Sequence, residues 1–435
     1  MSSVAFDPLA SSAPLIVYID YKSPYAYLAI APTYALAEEL GIEIDWRPFT
    51  LDIASYLGSA KLNHEGKVVE EQRSAGQWLR VKYAYRDVRR YGAMRGIIVR
   101  GTVKIWDTSL AGIGMLWAKA QSHAVLRAYT SITYERFWKR ELDVEDFAVI
   151  EGVLEKAGAT TAGFKKYAAG EGRALHDRIQ HAAFDAGIFG VPTYIIDREM
   201  FFGREHLPRI RWILTGRDGA PPDTAYQDVS AERVREKSTL PFAIDFKNPY
   251  AYLATAPTCA LADEIGIAID WLPLALSQGN TPGPANTGND RGSRHRRIRA
   301  EYIDRDVLRY AADRGIELRG LHRETDSTVA AIGLLWAKRQ GPSIARAFVE
   351  RVFERYWREA LNLEDERAIA ALLAETGASV SGFEAFVKNE GRAELARIQS
   401  ELREAGVFEV PSYIMNGEVY LGRQHLPLIR SMLAN

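Results

Sequence analysis

The sequence predicts an α/β protein made of two tandem copies of one domain, and three observations carry that prediction. Residues 14–51 align without a gap onto 239–276 with 24 of 38 positions identical, and 187–214 align onto 406–433 with 15 of 28 identical. A chain of 435 residues is longer than one hydrophobic core usually serves. Each copy also opens with a β-α-β pattern and closes with a β-β-α pattern, with a long helical stretch between. The copies stand 250 − 25 = 225 residues apart at Tyr25 and Tyr250, and 411 − 192 = 219 apart at Pro192 and Pro411. A period of that size belongs to a duplicated domain and not to a solenoid.

In order, Leu15–Asp20 and its counterpart Phe242–Phe246 read as the first strands. An S-P-Y turn in the first copy and N-P-Y in the second then open a helix. Ser23 or Asn248 suits the N-cap, and the following proline suits the first helical turn. Tyr27, Leu28, Ala31, Tyr34 and Ala35 keep a helical period, and Ile42–Trp46 reads as a second strand. The second copy has lost six residues between Trp271 and Tyr302, where SQGNTPGPANTGNDRGS reads as a flexible loop. The first copy has the richer LDIASYLGSAKLNHEGK there, a segment able to order over a site. Helical patterns run from about Val68 to Asp185 and from about Arg294 to Glu404. GVPTYIID and MFFG read as two short strands after Val191-Pro192, with a closing helix from His206. This order is a thioredoxin-like fold with an all-helical subdomain inserted in each copy. The expected domains are 14–214 and 239–435, joined by a polar linker at 215–238.

Composition excludes several classes of function. With 55 basic and 56 acidic residues nothing draws the whole chain to nucleic acid or to an acidic membrane. No apolar run approaches the roughly 20 residues a membrane-spanning helix needs. Met1–Pro14 lacks the basic start and apolar stretch of a secretory signal. The single cysteine, Cys259, has no partner for an intramolecular disulfide, which fits a reducing cytoplasm and excludes a thiolate zinc site. The eight histidines form no H-E-x-x-H or similar spacing, so no metal is expected. The basic run RGSRHRRIRAEY at 291–302 has no aromatic platform and reads as a solvated helix start, so no nucleic-acid partner is expected.

The S-P-Y turn, the string KYAYRDVRRYG, F-G-V-P-T and F-F-G-x-E-H-L together resemble 2-hydroxychromene-2-carboxylate isomerases and kappa-class glutathione transferases. These are DsbA-like thioredoxin folds that bind glutathione, and the resemblance covers nearly all of both copies. Disulfide oxidoreductases of that superfamily carry C-x-x-C where this chain has Ser23-Pro24-Tyr25-Ala26 and Asn248-Pro249-Tyr250-Ala251. Without sulfur there, thiol–disulfide exchange by the protein's own cysteines is ruled out.

The resemblance implies a glutathione-dependent isomerase or transferase acting on an aromatic or conjugated small molecule, with glutathione as cofactor or co-substrate. It assigns Ser23 the hydrogen bond to the glutathione sulfur, at a helix N-terminus that favours an anion. A hydrogen bond to a charged acceptor is worth about 1.5–3 kcal/mol, enough to lower a thiol pKa by about one to two units. Val191, before Pro192, is implied to hold the peptide part of glutathione as an added strand would. Gly203-Arg204-Glu205-His206 stands where the family has G-x-D-R, so Glu205 takes the place of the acid that pairs with the γ-glutamyl amine. Lys22, Tyr25, Trp46, Asp107, Thr108 and His206 are auxiliary candidates; each also has a bland reading as a solvated lysine, a core aromatic or a helix cap. Trp106 and Trp117 join them as a candidate aromatic wall. In the second copy Asn248, Val410, Pro411 and Gln424 are the equivalents, and the lost serine and lost acid mark that copy as degenerate.

Two other readings stay open on sequence. One is a binding protein that kept the fold and lost thiol chemistry. The other is an enzyme using Lys22 or His206 as acid–base groups without any thiol. The family's habit of dimerising implies an intrachain pseudo-dimer, with a homodimer of the whole chain also open to it.

Overall fold

The structure, a computed structural model, describes residues 6–63, 67–227, 239–276 and 288–433. Parts of the expected linker (228–238), of the second copy's Gly/Pro/Asn loop (277–287) and of its first-copy counterpart (64–66) lie outside those residues.

The first repeat begins with β1 (Leu15–Ile19), α1 (Pro24–Leu40) and β2 (Ile44–Pro48). β1 is apolar at all five positions and wholly buried, as a strand covered on both faces must be. Ser23 caps α1, accepting from the Ala26 amide at 3.2 Å, and Gly41 ends the helix in the left-handed region at φ 63°. The segment after β2 does order. It forms α2 (Ile53–Leu57) and a hairpin of β3 (Ala60–Leu62) and β4 (Val68–Glu71). The helical subdomain therefore starts not at Val68 but at α3 (Ala75–Ala93), where Ser74 and Gln77 make a reciprocal capping box. It continues through α4 (Ser109–Lys119), α5 (His123–Trp138), α6 (Phe147–Lys156), α7 (Phe164–Ala169) and α8 (Glu171–Asp185). β5 (Thr193–Ile196), β6 (Glu199–Phe202), a 3₁₀ turn at Arg204–His206 and α9 (Leu207–Leu214) close the repeat. The sheet order is β2-β1-β5-β6, with β1 parallel to β2 and antiparallel to β5.

The second repeat has the same plan. β7 (Thr239–Ile244), α10 (Pro249–Ile265) and β8 (Ala268–Pro273) precede α11 (Arg291–Ala312), α12 (Thr328–Lys338), α13 (Pro342–Glu359), α14 (Glu366–Glu375), α15 (Phe383–Lys388) and α16 (Glu390–Glu404). β9 (Ser412–Met415), β10 (Glu418–Leu421) and α17 (Leu426–Leu433) end it, in a sheet ordered β10-β9-β7-β8. Each repeat thus has the predicted thioredoxin-like sheet and inserted helices.

Two compact units emerge, and they depart from the repeats at one segment. The first unit is Met1–Pro222 with Gly288–Arg299; the second is Asp223–Thr287 with Ala300–Asn435. Gly288–Arg299 includes most of the basic run, which does open a helix, α11, but as a packed segment and not a solvated one. Ser293 and His295 are buried, Arg291 pairs with Asp52 at 3.3 Å, and Arg294 pairs with Asp185 at 2.7 Å. The guanidiniums of Arg291 and Arg294 also lie 4.0 and 4.9 Å from the Phe184 ring centre. Cationic heads thus find carboxylates and an aromatic face within the unit, which is why so charged a segment packs.

Candidate functional site

The turn before α1 is built by Asp20, a residue outside the motifs described above. Its carboxylate accepts from the Lys22 amide at 3.2 Å, from the Leu51 amide at 2.7 Å and from the Thr108 hydroxyl. Its backbone carbonyl takes the Ser23 amide at 2.9 Å and the Tyr134 hydroxyl at 3.0 Å. The turn is thereby tied to the strand, to the loop after β2 and to the helical subdomain at once. Asp245 does the same in the second repeat, accepting from the Lys247 and Leu276 amides. A repeated D-x-K before each turn was the available signal.

Ser23 is buried, and its hydroxyl donates to the Val191 carbonyl at 3.2 Å while accepting from the Ala26 amide. Val191-Pro192 is a cis peptide bond, as is Val410-Pro411. The Pro192 carbonyl takes the Gly203 amide at 2.9 Å, so the Gly-Arg-Glu-His turn hangs directly on the cis-proline loop. Gly203 sits at φ 109° and ψ 150°, a region other residues scarcely enter. A Cβ there would stand 2.3 Å from Glu205 Oε2, so the Glu205 side chain folds back over Gly203. Ser23, Val191, Pro192, Gly203 and Glu205 are therefore joined by consecutive contacts.

Arg204 is buried with its guanidinium 4.6 Å from the Tyr91 ring centre. Tyr91 belongs to a network on α3 that the sequence reading did not isolate. There the buried Asp87 carboxylate accepts from the Tyr25 hydroxyl at 3.2 Å and from Arg90 at 3.0 Å. Burial pushes the Asp87 carboxyl above its ordinary range, against the pull of Arg90, Arg204 and the Tyr25 hydroxyl. Tyr25 thus tethers the start of α1 to the helical subdomain.

The other candidates divide. Lys22 is not solvated; its Nζ donates to the Trp106 carbonyl at 3.0 Å and lies 3.7 Å from Asp20. Thr108 serves Asp20. Asp107, one residue before the N-cap Thr108, accepts from the Ser109 amide at 2.9 Å; burial works to raise its carboxyl, but Ser109 and the Lys22 charge hold it below the usual range. Trp46 is core, 5.0 Å from the Tyr34 ring. Trp117 donates to the Thr160 carbonyl and packs on Phe164 and Tyr167 inside the helical subdomain, away from the turn. His206 is buried with its ring 5.7 Å from Phe201, a packing position.

A separate aromatic cluster packs next to the cis-proline loop, made of residues outside the motifs read from the sequence. The His295 ring stacks on Tyr56 with centroids 3.8 Å apart and planes 3° apart. It meets Phe189, two residues before Val191, edge-on at 5.8 Å, and its Nε2 donates to the Phe189 carbonyl at 3.0 Å. Gly292 makes the approach possible, since a Cβ there would fall 2.3 Å from the Ser55 carbonyl oxygen.

In the second repeat Asn248 caps α10, accepting from the Ala251 amide at 3.0 Å, and the Pro411 carbonyl takes the Gly422 amide at 2.8 Å. Tyr250 donates to Asp306 at 3.2 Å, repeating the Tyr25–Asp87 tether. Gln424 replaces Glu205, and its amide folds over Gly422 in the same way. Cys259 lies 2% exposed in α10, and burial pushes its thiol up to about 12.

Among the described residues no group of three or more His, Cys, Asp or Glu could hold a metal ion, and no helix is long and apolar enough to cross a membrane. Residues 14–214 and 239–434 each match the family model described as a DSBA-like thioredoxin domain. A 2-hydroxychromene-2-carboxylate isomerase of Pseudomonas putida is 27% identical over 198 residues, covering 44% of this chain and 92% of that protein. A solved structure of a 2-hydroxychromene-2-carboxylate isomerase superposes with a TM-score of 0.36 at 24% identity, over 44% of this chain and 93% of its own. The cytosolic disulfide reductase DsbM from Pseudomonas aeruginosa, solved with GSH, gives 0.33 at 17% identity, over 44% and 93%.

Proposed function

We propose that this chain, which belongs to the DSBA-like thioredoxin domain family, is a glutathione-dependent isomerase of aromatic or conjugated small molecules with one working site, in the first repeat. The observation that carries the reading is the placing of Ser23. Its hydroxyl stands at the N-terminus of α1 and 3.2 Å from the carbonyl beside cis-Pro192, where a dithiol would otherwise stand. Glutathione, when bound, supplies the thiolate that adds reversibly to a conjugated carbon and leaves again after the bond has turned.

The chain's own residues would hold and poise it. The amides at the start of α1 and its macrodipole favour an anion beside Ser23. Ser23 would turn its proton from the Val191 carbonyl to the sulfur, freeing that carbonyl for the peptide part of the ligand. Glu205, folded over Gly203, offers a carboxylate to an ammonium. The Tyr56–His295 stack, meeting Phe189 edge-on, would brace the loop that carries Val191 and Pro192. Cys259, buried and held as a thiol, is unfit to be the nucleophile. Lys22 and His206, each packed into the frame, are poorly placed as acid–base groups. In the second repeat, Asn248 and Gln424 favour a role without turnover.

Titration calorimetry with glutathione is the test. The expected result is one site per chain, weakened about tenfold or more by Ser23→Ala and by Glu205→Gln, with isomerisation of conjugated aromatic acids dependent on added glutathione. Absence of binding at millimolar glutathione, or turnover without it, overturns the reading.

A further inference from the structure

The segment that leads out of the first repeat does not hang free. Within the second unit Asp223 presents both carboxylate oxygens to Nε of Arg423, at 2.8 and 3.0 Å, and pairs with Nη2 of Arg314. Three residues on, the Tyr226 amide donates to the Gln424 carbonyl at 2.9 Å, and the Tyr226 ring meets His425 edge-on at 5.1 Å. Residues 223–227 thus lie along Arg423 and Gln424 as a strap.

The seat beneath the strap has the chemistry of an anion site. Arg423 is buried, with its guanidinium 4.8 Å from the Tyr310 ring and 5.9 Å from that of Tyr250, the tyrosine that opens α10. Arg314 adds a second cation, anchored through Nη1 on the Leu253 carbonyl. A guanidinium binds a carboxylate best as a fork, one oxygen on each of two parallel N–H groups. Asp223 does not achieve this. Both its oxygens crowd Nε, and Arg423 Nη2 is buried with no hydrogen-bond partner among the described residues. Thr224 Oγ1, also buried, has none either. An imperfect ligand wins here because it is tethered, since a short linker holds its group at millimolar effective concentration.

We propose that Arg423 and Arg314 form a carboxylate-binding site on the second repeat and that residues 223–227 are its built-in occupant, which a free small-molecule carboxylate replaces when the strap is removed. The site stands on these contacts alone. Only its equivalence to the glutathione-holding turn at Gly203–Glu205 rests on the function proposed above.

The experiment is thermal unfolding of the full chain and its Asp223→Ala variant in sodium acetate against sodium chloride at equal ionic strength. The expected result is a lower melting temperature for Asp223→Ala, restored saturably by acetate and not by chloride. The wild-type chain should melt alike in both salts, and adding Arg423→Met to Asp223→Ala should abolish the acetate effect. Should Asp223→Ala not fold, Asp223→Asn, which keeps the side chain's size, is titrated in the same way. Equal melting of the folded variant in acetate and chloride overturns the proposal, as does acetate rescue that survives Arg423→Met. A chain that never binds glutathione but shows the acetate rescue keeps this site while losing the function proposed above.

Discussion

His295 carries the clearest residue-scale consequence. Burial lowers its pKa from 6.5 to about 4, with the neighbouring Arg299, Arg291 and Arg296 adding to the effect. In the folded chain the ring stays neutral down to about pH 4, whereas unfolded it takes a proton near 6.5. Falling pH across that window favours the unfolded chain. The stabilisation is whole above pH 6.5 and is lost towards pH 4, by about 2–4 kcal/mol. Denaturant unfolding from pH 4 to 7 should show this slope in the wild type and a flatter one in His295→Gln; identical slopes would contradict it. No local pattern marks this residue, because it sits in a basic run whose charges point outwards on the usual rule. Asp20 and Asp87 were hidden for a related reason. Their partners Leu51 and Tyr25 stand 31 and 62 residues away, and no local period records such a contact. Ser23, by contrast, was legible, because an N-cap is a local event fixed by the next three residues.

At the scale of elements, local rules placed most of the fold well. The first strands, both capped helices and the paired strands after each Val-Pro lie within a few residues of where pattern put them. Ile42–Trp46 became Ile44–Pro48 because Gly41 ends α1 in a left-handed turn that uses the next residues to leave the helix. The hairpin of β3 and β4 was missed because its strands are short and largely exposed, so no apolar alternation marks them. The Gly-Arg-Glu-His turn makes the sharpest prediction for an element. Gly203→Ala must strain φ 109° and push Glu205 off its seat, whereas Gly422→Ala does the same to Gln424. Both variants should lose about 1–3 kcal/mol of stability. Only Gly203→Ala should also weaken glutathione binding in calorimetry; equal loss of binding in both would place ligand capture in both repeats.

For the whole molecule, the repeat was plain in the sequence but the exchange of Gly288–Arg299 was not, since alignment reports ancestry and not packing. That segment brings the His295 stack and two cation–aromatic contacts to the first unit. Their combined worth is about 3 kcal/mol. A chain ending at Pro222 should therefore melt about 6–12 °C below the first transition of the full protein in calorimetry. Equal melting temperatures would mean that the first repeat is self-sufficient.

The same segment bears on synthesis. Domains are commonly folded one after another from the N-terminus as the ribosome delivers them. Here the last piece of the first unit is separated from the rest by the 287 − 223 + 1 = 65 residues from Asp223 to Thr287. The first unit can be completed only after the second has begun to leave the exit tunnel. A message cut between the repeats would yield a partner-seeking half with Phe184 and Tyr56 uncovered. The two repeats are therefore bound to be made together, as one continuous translation product.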